Sequence, residues 1–293
     1  MIRCAARGAF AELWQARVTG TWSPNRSAAV SSSVVPDVTN LSVGEIVAVK
    51  RLQPEWMQHP TARQLLNNEA EVLARVRSPY VVRLHCPCLD EAAPSLVCEW
   101  LEGCDLESLL PEGEPLPLLS AVWYGRQIAA GIHDLHSAGF VHGDIKPANV
   151  FVQRNGAIKL IDLGFAAPIQ RGLSAANMRS LLVGTPEYLA PEAAAGEPAP
   201  REARDLYSLG IVLFRLFVGR LPFEGDSVSE ILRSQLVDRH ANLRRSQPGL
   251  GVELCQLVDG LLRKQPLRRL VAAGDALRTL IRIELQLLQC AVA

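Results

Sequence analysis

The densest run of side chains able to do chemistry is Val141-His142-Gly143-Asp144-Ile145-Lys146-Pro147-Ala148-Asn149-Val150, where a carboxylate, an ammonium and an amide are set closely between two apolar stretches. The stretch from Phe151 to Asp162 follows, and its Asn155-Gly156 pair, flanked by alternating apolar residues, predicts a tight β-hairpin. With Asn155 and Gly156 as the two turn residues, 154 pairs with 157, 152 with 159, and Asn149 lies directly opposite Asp162. Cross-strand partners stand ~5 Å apart at Cβ. An amide oxygen and a carboxylate converging at that distance make a hard-oxygen site with few protein ligands, as Mg²⁺ uses when phosphate oxygens and waters complete its octahedron. Asp144 is left to act as a base or to orient a nucleophile beside the metal.

Of thirty basic residues only four are Lys, at positions 50, 146, 159 and 264, and the rest are Arg. Where Arg serves for ordinary surface charge, a retained Lys marks a place that needs a compact ammonium. Lys50 closes a β-branched run, Glu45 to Leu52, that predicts a strand. A helix is predicted next, opened by a Thr61-x-x-Gln64 capping box, with Leu66, Glu69, Leu73 and Val76 along one face. Glu69 in that apolar stripe is either a snorkelling edge residue or the partner of a buried Lys. Lys50 supplies such a partner. Lys159 and Lys264 show no comparable role in the sequence.

Further elements are needed to position these groups. Strands are predicted near Val81 to His85 and Ser95 to Trp100, and helices near Leu119 to Ala138, Asp205 to Val218 and Gly251 to Arg263. The chain therefore divides into a sheet-rich lobe with one helix and a helix-rich lobe, an α+β architecture joined near Glu99 to Gly103. Trp22 to Ser42, rich in Ser, Val, Thr and Pro, reads as a long surface loop. From Asp90 to Ser120 there are eight acids and no Lys or Arg, either a solvated acidic face or a docking surface for basic substrates.

The 293 residues carry thirty basic and thirty acidic side chains, so no bulk attraction to nucleic acid or membrane is expected. The longest apolar stretch, Leu206 to Gly219, is interrupted by Arg215 and falls short of the ~20 residues of a membrane span. The N-terminal residues lack the apolar core of a signal peptide. Seven Cys, odd in number and scattered, do not form a disulfide framework, and the expected location is intracellular and reducing. Cys86-Pro87-Cys88 is read as ordinary strand thiols, with a metal site as the alternative.

In order along nearly the whole chain, these pieces resemble the eukaryotic-type protein kinase family. Val47-Ala48-Val49-Lys50 looks like the strand whose Lys holds the α/β-phosphates of ATP, with Glu69 its helix partner. Asp144 matches the catalytic-loop Asp, Lys146 the Lys that meets the γ-phosphate, and Asn149 and Asp162 the two Mg²⁺ ligands. Gly184-Thr185-Pro186-Glu187-Tyr188-Leu189-Ala190-Pro191-Glu192 resembles the end of the activation segment, where Thr185 faces the catalytic Asp and Glu192 pairs with a late Arg, here Arg269. Asp205 looks like the residue that ties down the catalytic loop. The resemblance further implies Cys98 at the back of the adenine pocket, Glu99 to Leu101 as the hinge, Asp105 as a ribose contact, and Ala48 and Phe151 around the adenine ring. Leu73, Leu84, Leu163 and His142 would form an apolar column coupling the lobes.

The implied organisation is one protein kinase domain, with residues 1–101 as the N-lobe, carrying the 22–42 insertion, and 102–293 as the helical C-lobe. Lys146 and Thr185 resemble the Ser/Thr branch, so the implied activity is transfer of the γ-phosphoryl group of ATP to a protein hydroxyl. A regulatory partner would meet the 22–42 segment or the amphipathic C-terminal helix, Ala276 to Leu288, which otherwise closes the fold.

Three positions depart from the family's pattern. Only the middle Gly of the phosphate-covering loop is kept, as Gly8 in Ala6-Arg7-Gly8-Ala9-Phe10-Ala11, and since Ala resists positive φ, weaker nucleotide binding is expected. Gly143 stands where many kinases have an Arg that receives a phosphate on the activation segment, and Leu181 stands where the acceptor often lies. These agree with activity that does not require such phosphorylation, although Ser174 and Ser180 remain as acceptors. Leu163 replaces the usual Phe with little loss of apolar volume. A scaffold that binds nucleotide without turnover is the alternative that the altered loop suggests. A small-molecule phosphotransferase would share His-Gly-Asp but not the activation-segment ending.

Overall fold

The computed structural model describes residues 1–20, 41–89, 93–169, 185–269 and 272–292. The expectations for most of the 22–42 loop, and for Ser174, Ser180, Leu181 and Gly184, lie outside the described residues.

The first half builds a five-stranded antiparallel sheet from β1 (Arg3–Arg7), β2 (Ala11–Arg17), β3 (Ile46–Leu52), β4 (Leu84–Cys88) and β5 (Ser95–Glu99), in the order β1-β2-β3-β5-β4. The run Ile46-Val47-Ala48-Val49 suits the central position of β3, because small and β-branched residues pack on both faces of a covered strand. Helix α1 (Pro60–Arg75) packs against this sheet and buries Leu66, Glu69 and Leu73 on one stripe. Its start differs from the sequence expectation. His59 is the N-cap and makes no side-chain cap, and Pro60 occupies the first helical position. Proline there has the φ a helix needs and lacks an N–H that would have no partner, so the helix begins before Thr61 and the capping box does not form.

Strand β4 begins three residues later than Val81, which instead makes an isolated parallel bridge to Leu160. After Glu99 the chain forms β6 (Gly103–Asp105) and α2 (Leu118–Ser137), then the short strand β7 (Phe140–Val141). β8 (Val150–Gln153) and β9 (Ile158–Leu160) follow, and β6-β8-β9 form a second small sheet. β10 (Ala167–Pro168) pairs with β7.

The remainder is helical: α3 (Pro191–Ala194), α4 (Glu202–Val218), α5 (Val228–Val237), α6 (Leu243–Ser246), α7 (Val252–Leu261) and α8 (Ala273–Val292). Helix α4 is the axis of this half and is apolar nearly all round. Tyr207, Leu209, Ile211, Val212, Leu213 and Phe214 are all fully buried on it, as expected of a helix enclosed by others. Helix α8 closes against α2 with Ala276, Leu280 and Ile283 buried, and Arg126 Nε meets Glu284 Oε2 at 2.5 Å across that contact. The architecture is α+β and bilobal, with an antiparallel sheet plus one helix in one lobe and helices in the other.

Candidate active site

The β8–β9 hairpin sets the geometry of the site, and its register is one residue off the sequence expectation. Val150 pairs with Leu160, Phe151 with Lys159 and Val152 with Ile158. The loop therefore holds three residues, Arg154, Asn155 and Gly156, and Gln153 N donates to Ala157 O at 2.8 Å. Gly156 alone of the three has positive φ, +80°. A two-residue turn on Asn-Gly would need positive φ at both, whereas a three-residue loop needs it only at its last position. Two side chains of α2 pin this loop. Trp123 Nε1 and Gln127 Nε2 both donate to Gly156 O, and Gln127 Oε1 accepts from Ile158 N. Asn149 is consequently opposite Ile161, whose N–H donates to Asn149 O at 3.0 Å, and Asp162 stands one residue beyond.

Asp162 still reaches the site because its backbone turns. It is the only non-glycine with positive φ among the described residues, at φ 63° and ψ 63°. Asp tolerates this left-handed conformation better than most residues. The turn brings Asp162 Oδ1 to 2.7 Å from Lys50 Nζ, while Glu69 Oε2 lies 2.5 Å from the same nitrogen. Burial alone would lower the Lys50 pKa, but the two carboxylates outweigh it and hold the ammonium well above its ordinary range. Lys50 in turn holds Asp162 below the usual carboxylate range, against the effect of burial. Burial raises Glu69, opposed by Lys50.

The loop before β8 gathers the remaining groups. Asn149 Nδ2 donates to both the carbonyl oxygen and Oδ2 of Asp144, each at 2.8 Å. Lys146 Nζ lies 2.8 Å from that same Oδ2. Both contacts fall on one oxygen, and among the described residues Oδ1 of Asp144 keeps its lone pairs for another donor. Beneath them, buried Asp205 on α4 accepts from His142 N at 2.8 Å and Gly143 N at 2.9 Å, with His136 Nε2 at 2.9 Å. Burial alone would raise the Asp205 pKa, but these partners carry it below its ordinary value. Gly143 has φ +82°, and a Cβ there would lie 2.6 Å from Phe165 O, so this position is closed to a side chain in this conformation.

The residues expected around the nucleotide lie on or beside strands of the two sheets. Ala48 pairs directly with Cys98 across β3 and β5. Phe151 pairs with Asp105 across β8 and β6. The Glu99 N–H is engaged by Arg83 O, and Leu101, half-buried, follows it. Asp105 Oδ1 accepts from Ser108 N and Oγ. Burial pushes the Cys98 thiol up. Leu73, Leu84, Leu163 and His142 are all buried, and His142 Nε2 lies 3.2 Å from Ile161 O. Gly8 lies between β1 and β2, its N–H bonded to Ala11 O at 2.8 Å, and none of residues 6 to 11 has positive φ. The expected conflict between Ala and a left-handed backbone therefore does not arise.

At the far end, Glu192 and Arg269 form a bidentate pair of 2.7 and 2.9 Å that is essentially fully buried. Thr185, half-buried, opens the turn Pro186–Tyr188 that leads to it. The chain matches the protein kinase domain family over residues 31–279. It belongs to the protein kinase family. The serine/threonine-protein kinase PkaA of Streptomyces coelicolor is 33% identical over 265 residues, which are 89% of this chain and 45% of that protein. Pkn2 of Myxococcus xanthus, also a serine/threonine-protein kinase, is 33% identical over 246 residues, 80% of this chain and 29% of that protein. PknB of Mycobacterium leprae is 28% identical over 241 residues, 81% and 38% of the two chains. The chain spans less than half the length of these relatives.

Several residues that hold the site in this kinase domain had no role assigned from the sequence. Lys159, which showed no role there, reaches Glu99 Oε1 at 2.7 Å and so ties the β8–β9 hairpin to the end of β5. Lys264 caps Gln235 O and lies 3.6 Å from the centre of the Phe223 ring, where burial lowers its pKa to about 8. Gln235 in turn donates to Pro186 O at 2.7 Å, holding the segment that begins at Thr185. Nor are the acids between 90 and 120 one open face. Glu99, Glu102 and Glu107 pair with Lys159, Arg154 and Arg215, and Asp90 and Glu91 lie outside the described residues. Among the described residues no helix is long and apolar enough to cross a membrane.

Protein kinases as a family use ATP and a divalent metal. The donors here fit Mg²⁺. Asn149 has its amide nitrogen committed to Asp144, which leaves its carbonyl oxygen as a hard ligand, and the carboxylate of Asp162 is half-exposed.

Proposed function

We propose that this chain is an ATP-dependent protein serine/threonine kinase, with residues 1–101 forming the N-lobe and 102–293 the C-lobe. The observation that carries this reading is the convergence on one ammonium, Lys50, of carboxylates from α1 and from the segment after β9. Such a pairing holds the strand, the helix and Asp162 in one arrangement.

In this reading Lys50, held by Glu69, binds the α/β-phosphates. Gly8, Ala48, Glu99, Leu101, Asp105 and Phe151 surround the nucleotide. Asn149 and Asp162 are the ligands for Mg²⁺, which would neutralise phosphate charge and align the phosphates when bound. Asp144 accepts or orients the proton of the attacking Ser or Thr hydroxyl through its open oxygen. Lys146, beside it, offsets charge developing on the transferred group. Phosphoryl transfer asks little covalent chemistry of the protein, so positioning and electrostatics carry the rate. The substrate is a protein hydroxyl.

The chain is further proposed to act without activation-segment phosphorylation. The position that would carry a phosphate-binding Arg is Gly143, and its positive φ and the approach of Phe165 O leave no room for a side chain. The scaffold alternative keeps only the sequence departure, alanines at two of the three loop glycine positions, Ala6 and Ala11, because none of residues 6 to 11 has positive φ. The test is transfer from labelled ATP with Mg²⁺ to a generic basic protein by phosphatase-treated enzyme. Transfer is expected. Its loss on phosphatase treatment would refute the phosphorylation-independent reading, and nucleotide binding without transfer to any of several acceptors would favour the scaffold.

A further inference from the structure

The chain has a second cluster of reactive groups that phosphoryl transfer does not use. Cys86 and Cys88 lie on β4 with their sulfurs 3.5 Å apart. Residues two apart on a strand project from the same face, and Cys86, Pro87 and Cys88 pair in regular register with Val97, Leu96 and Ser95, the register shift lying before Cys86. Between them, Pro87 fixes its own φ and confines Cys86 to extended backbone, so the two thiols face each other with few conformations available to separate them.

Three features suit this pair to joining. Strand β4 is an edge of the five-stranded sheet, so its outer side has no ladder to be disturbed by a change in pucker. Cys86 is buried at 1% exposure while Cys88 is partly open to solvent, so a small oxidant meets Cys88 first. Among the described residues no group of three or more His, Cys, Asp or Glu is placed to hold a metal ion, so none of them adds a ligand to the pair.

We propose that Cys86 and Cys88 are an oxidisable dithiol that closes to an intrastrand disulfide across Pro87 on exposure to a peroxide. The Cys88 sulfur attacks one peroxide oxygen. An S–O bond forms, the O–O bond breaks, and the departing oxygen leaves as water, giving a sulfenic acid. The Cys86 sulfur then attacks the Cys88 sulfur, the S–S bond forms, the S–O bond breaks, and a second water carries off that oxygen with the Cys86 proton. Two thiols lose two electrons in total and one peroxide gains them. The hydrogen bond with Cys88, and then burial, push the Cys86 thiol up, which agrees with its acting second.

The test uses the full chain and reads mass, so it does not depend on whether the chain transfers phosphate. Hydrogen peroxide is added in modest excess, remaining thiols are alkylated, and the protein is cut after Arg and then after Glu. Cleavage after Arg83 and Glu91 frees a fragment that holds Cys86 and Cys88 without Cys98 or Cys104. That fragment is expected to be lighter by about 2 Da, the mass of two hydrogens, and to resist alkylation until reduced. Phenylarsine oxide, which bridges neighbouring thiols, is expected to bind the untreated protein with the arsenic on the same fragment. Cys88→Ser, at a partly exposed position, should abolish both results, and Cys98→Ser should leave both intact. Two alkylatable thiols in the fragment after peroxide, oxygen added without bridging, or bridging that survives Cys88→Ser would overturn the proposal.

Discussion

Lys50 and Asp162 are 112 residues apart in the chain and 2.7 Å apart at their charged atoms. The contact depends on a left-handed residue at 162, which swings the carboxylate back from the end of β9 toward β3. Glu69 closes the same ammonium from α1, so one point charge joins three elements.

The first prediction concerns the shape of that charge. Lys50→Arg keeps a cation between Glu69 and Asp162 and should fold, with a melting temperature close to wild type. A planar guanidinium cannot replace a compact ammonium on a phosphate oxygen, and turnover should fall on the order of 10² to 10³, the usual cost of losing one aligned donor. Steady-state assays beside thermal unfolding check it. Wild-type turnover in Lys50→Arg would show that Lys50 does not touch phosphate.

Much of this site was legible from residue types alone. Glu69 in an apolar helical stripe was either an edge residue or the partner of a buried Lys, and Lys50 was available for the second role that the structure shows; Asp205 and the pair Glu192–Arg269 followed from the resemblance. What the sequence misjudged was local backbone geometry. Asn-Gly is compatible with a two- or a three-residue loop, and the choice is made here by Trp123 and Gln127 from a helix distant in sequence. The Thr61 box failed because Pro60 started the helix earlier. The Lys159–Glu99 pair was hidden because it joins strands of two different sheets, and no periodicity links such positions.

The second prediction is for stability. Glu192 and Arg269 are buried, and Arg269 also donates to the carbonyls of Arg263, Lys264 and Ala203. Glu192→Ala should destabilise by roughly 3–5 kcal/mol, because it leaves a buried cation without its counterion. Glu192→Met combined with Arg269→Met should cost less than the two single changes added together. Urea unfolding of wild type, Glu192→Ala, the two single Met variants and the double Met variant measures both. Strict additivity would mean that the pair is not coupled.

The third prediction is a pH dependence. The folded state lowers the Asp205 pKa from the ordinary 3.8, so its carboxylate contributes stability in full above that pH. The contribution is lost as pH falls through the lower folded value. Asp205→Asn should therefore be less stable than wild type at neutral pH, by roughly 1–3 kcal/mol, and the difference should shrink below pH 3.8. A gap between the two urea curves that stayed constant down to that acidity would contradict the role given to Asp205.

The most direct measurement of the central claim takes wild type and Asp144→Asn side by side, with nucleotide binding and phosphoryl transfer read on the same preparations. Asp144 touches Asn149 and Lys146 but is not among the residues proposed to hold the nucleotide. Binding of ATP with Mg²⁺ should be similar in the two proteins, while transfer to a Ser- or Thr-bearing acceptor falls about 10²- to 10⁴-fold in the variant, as for loss of a positioned base. Equal transfer by both proteins would contradict the assignment of Asp144, and nucleotide binding with no transfer by wild type to any acceptor would contradict the kinase reading itself.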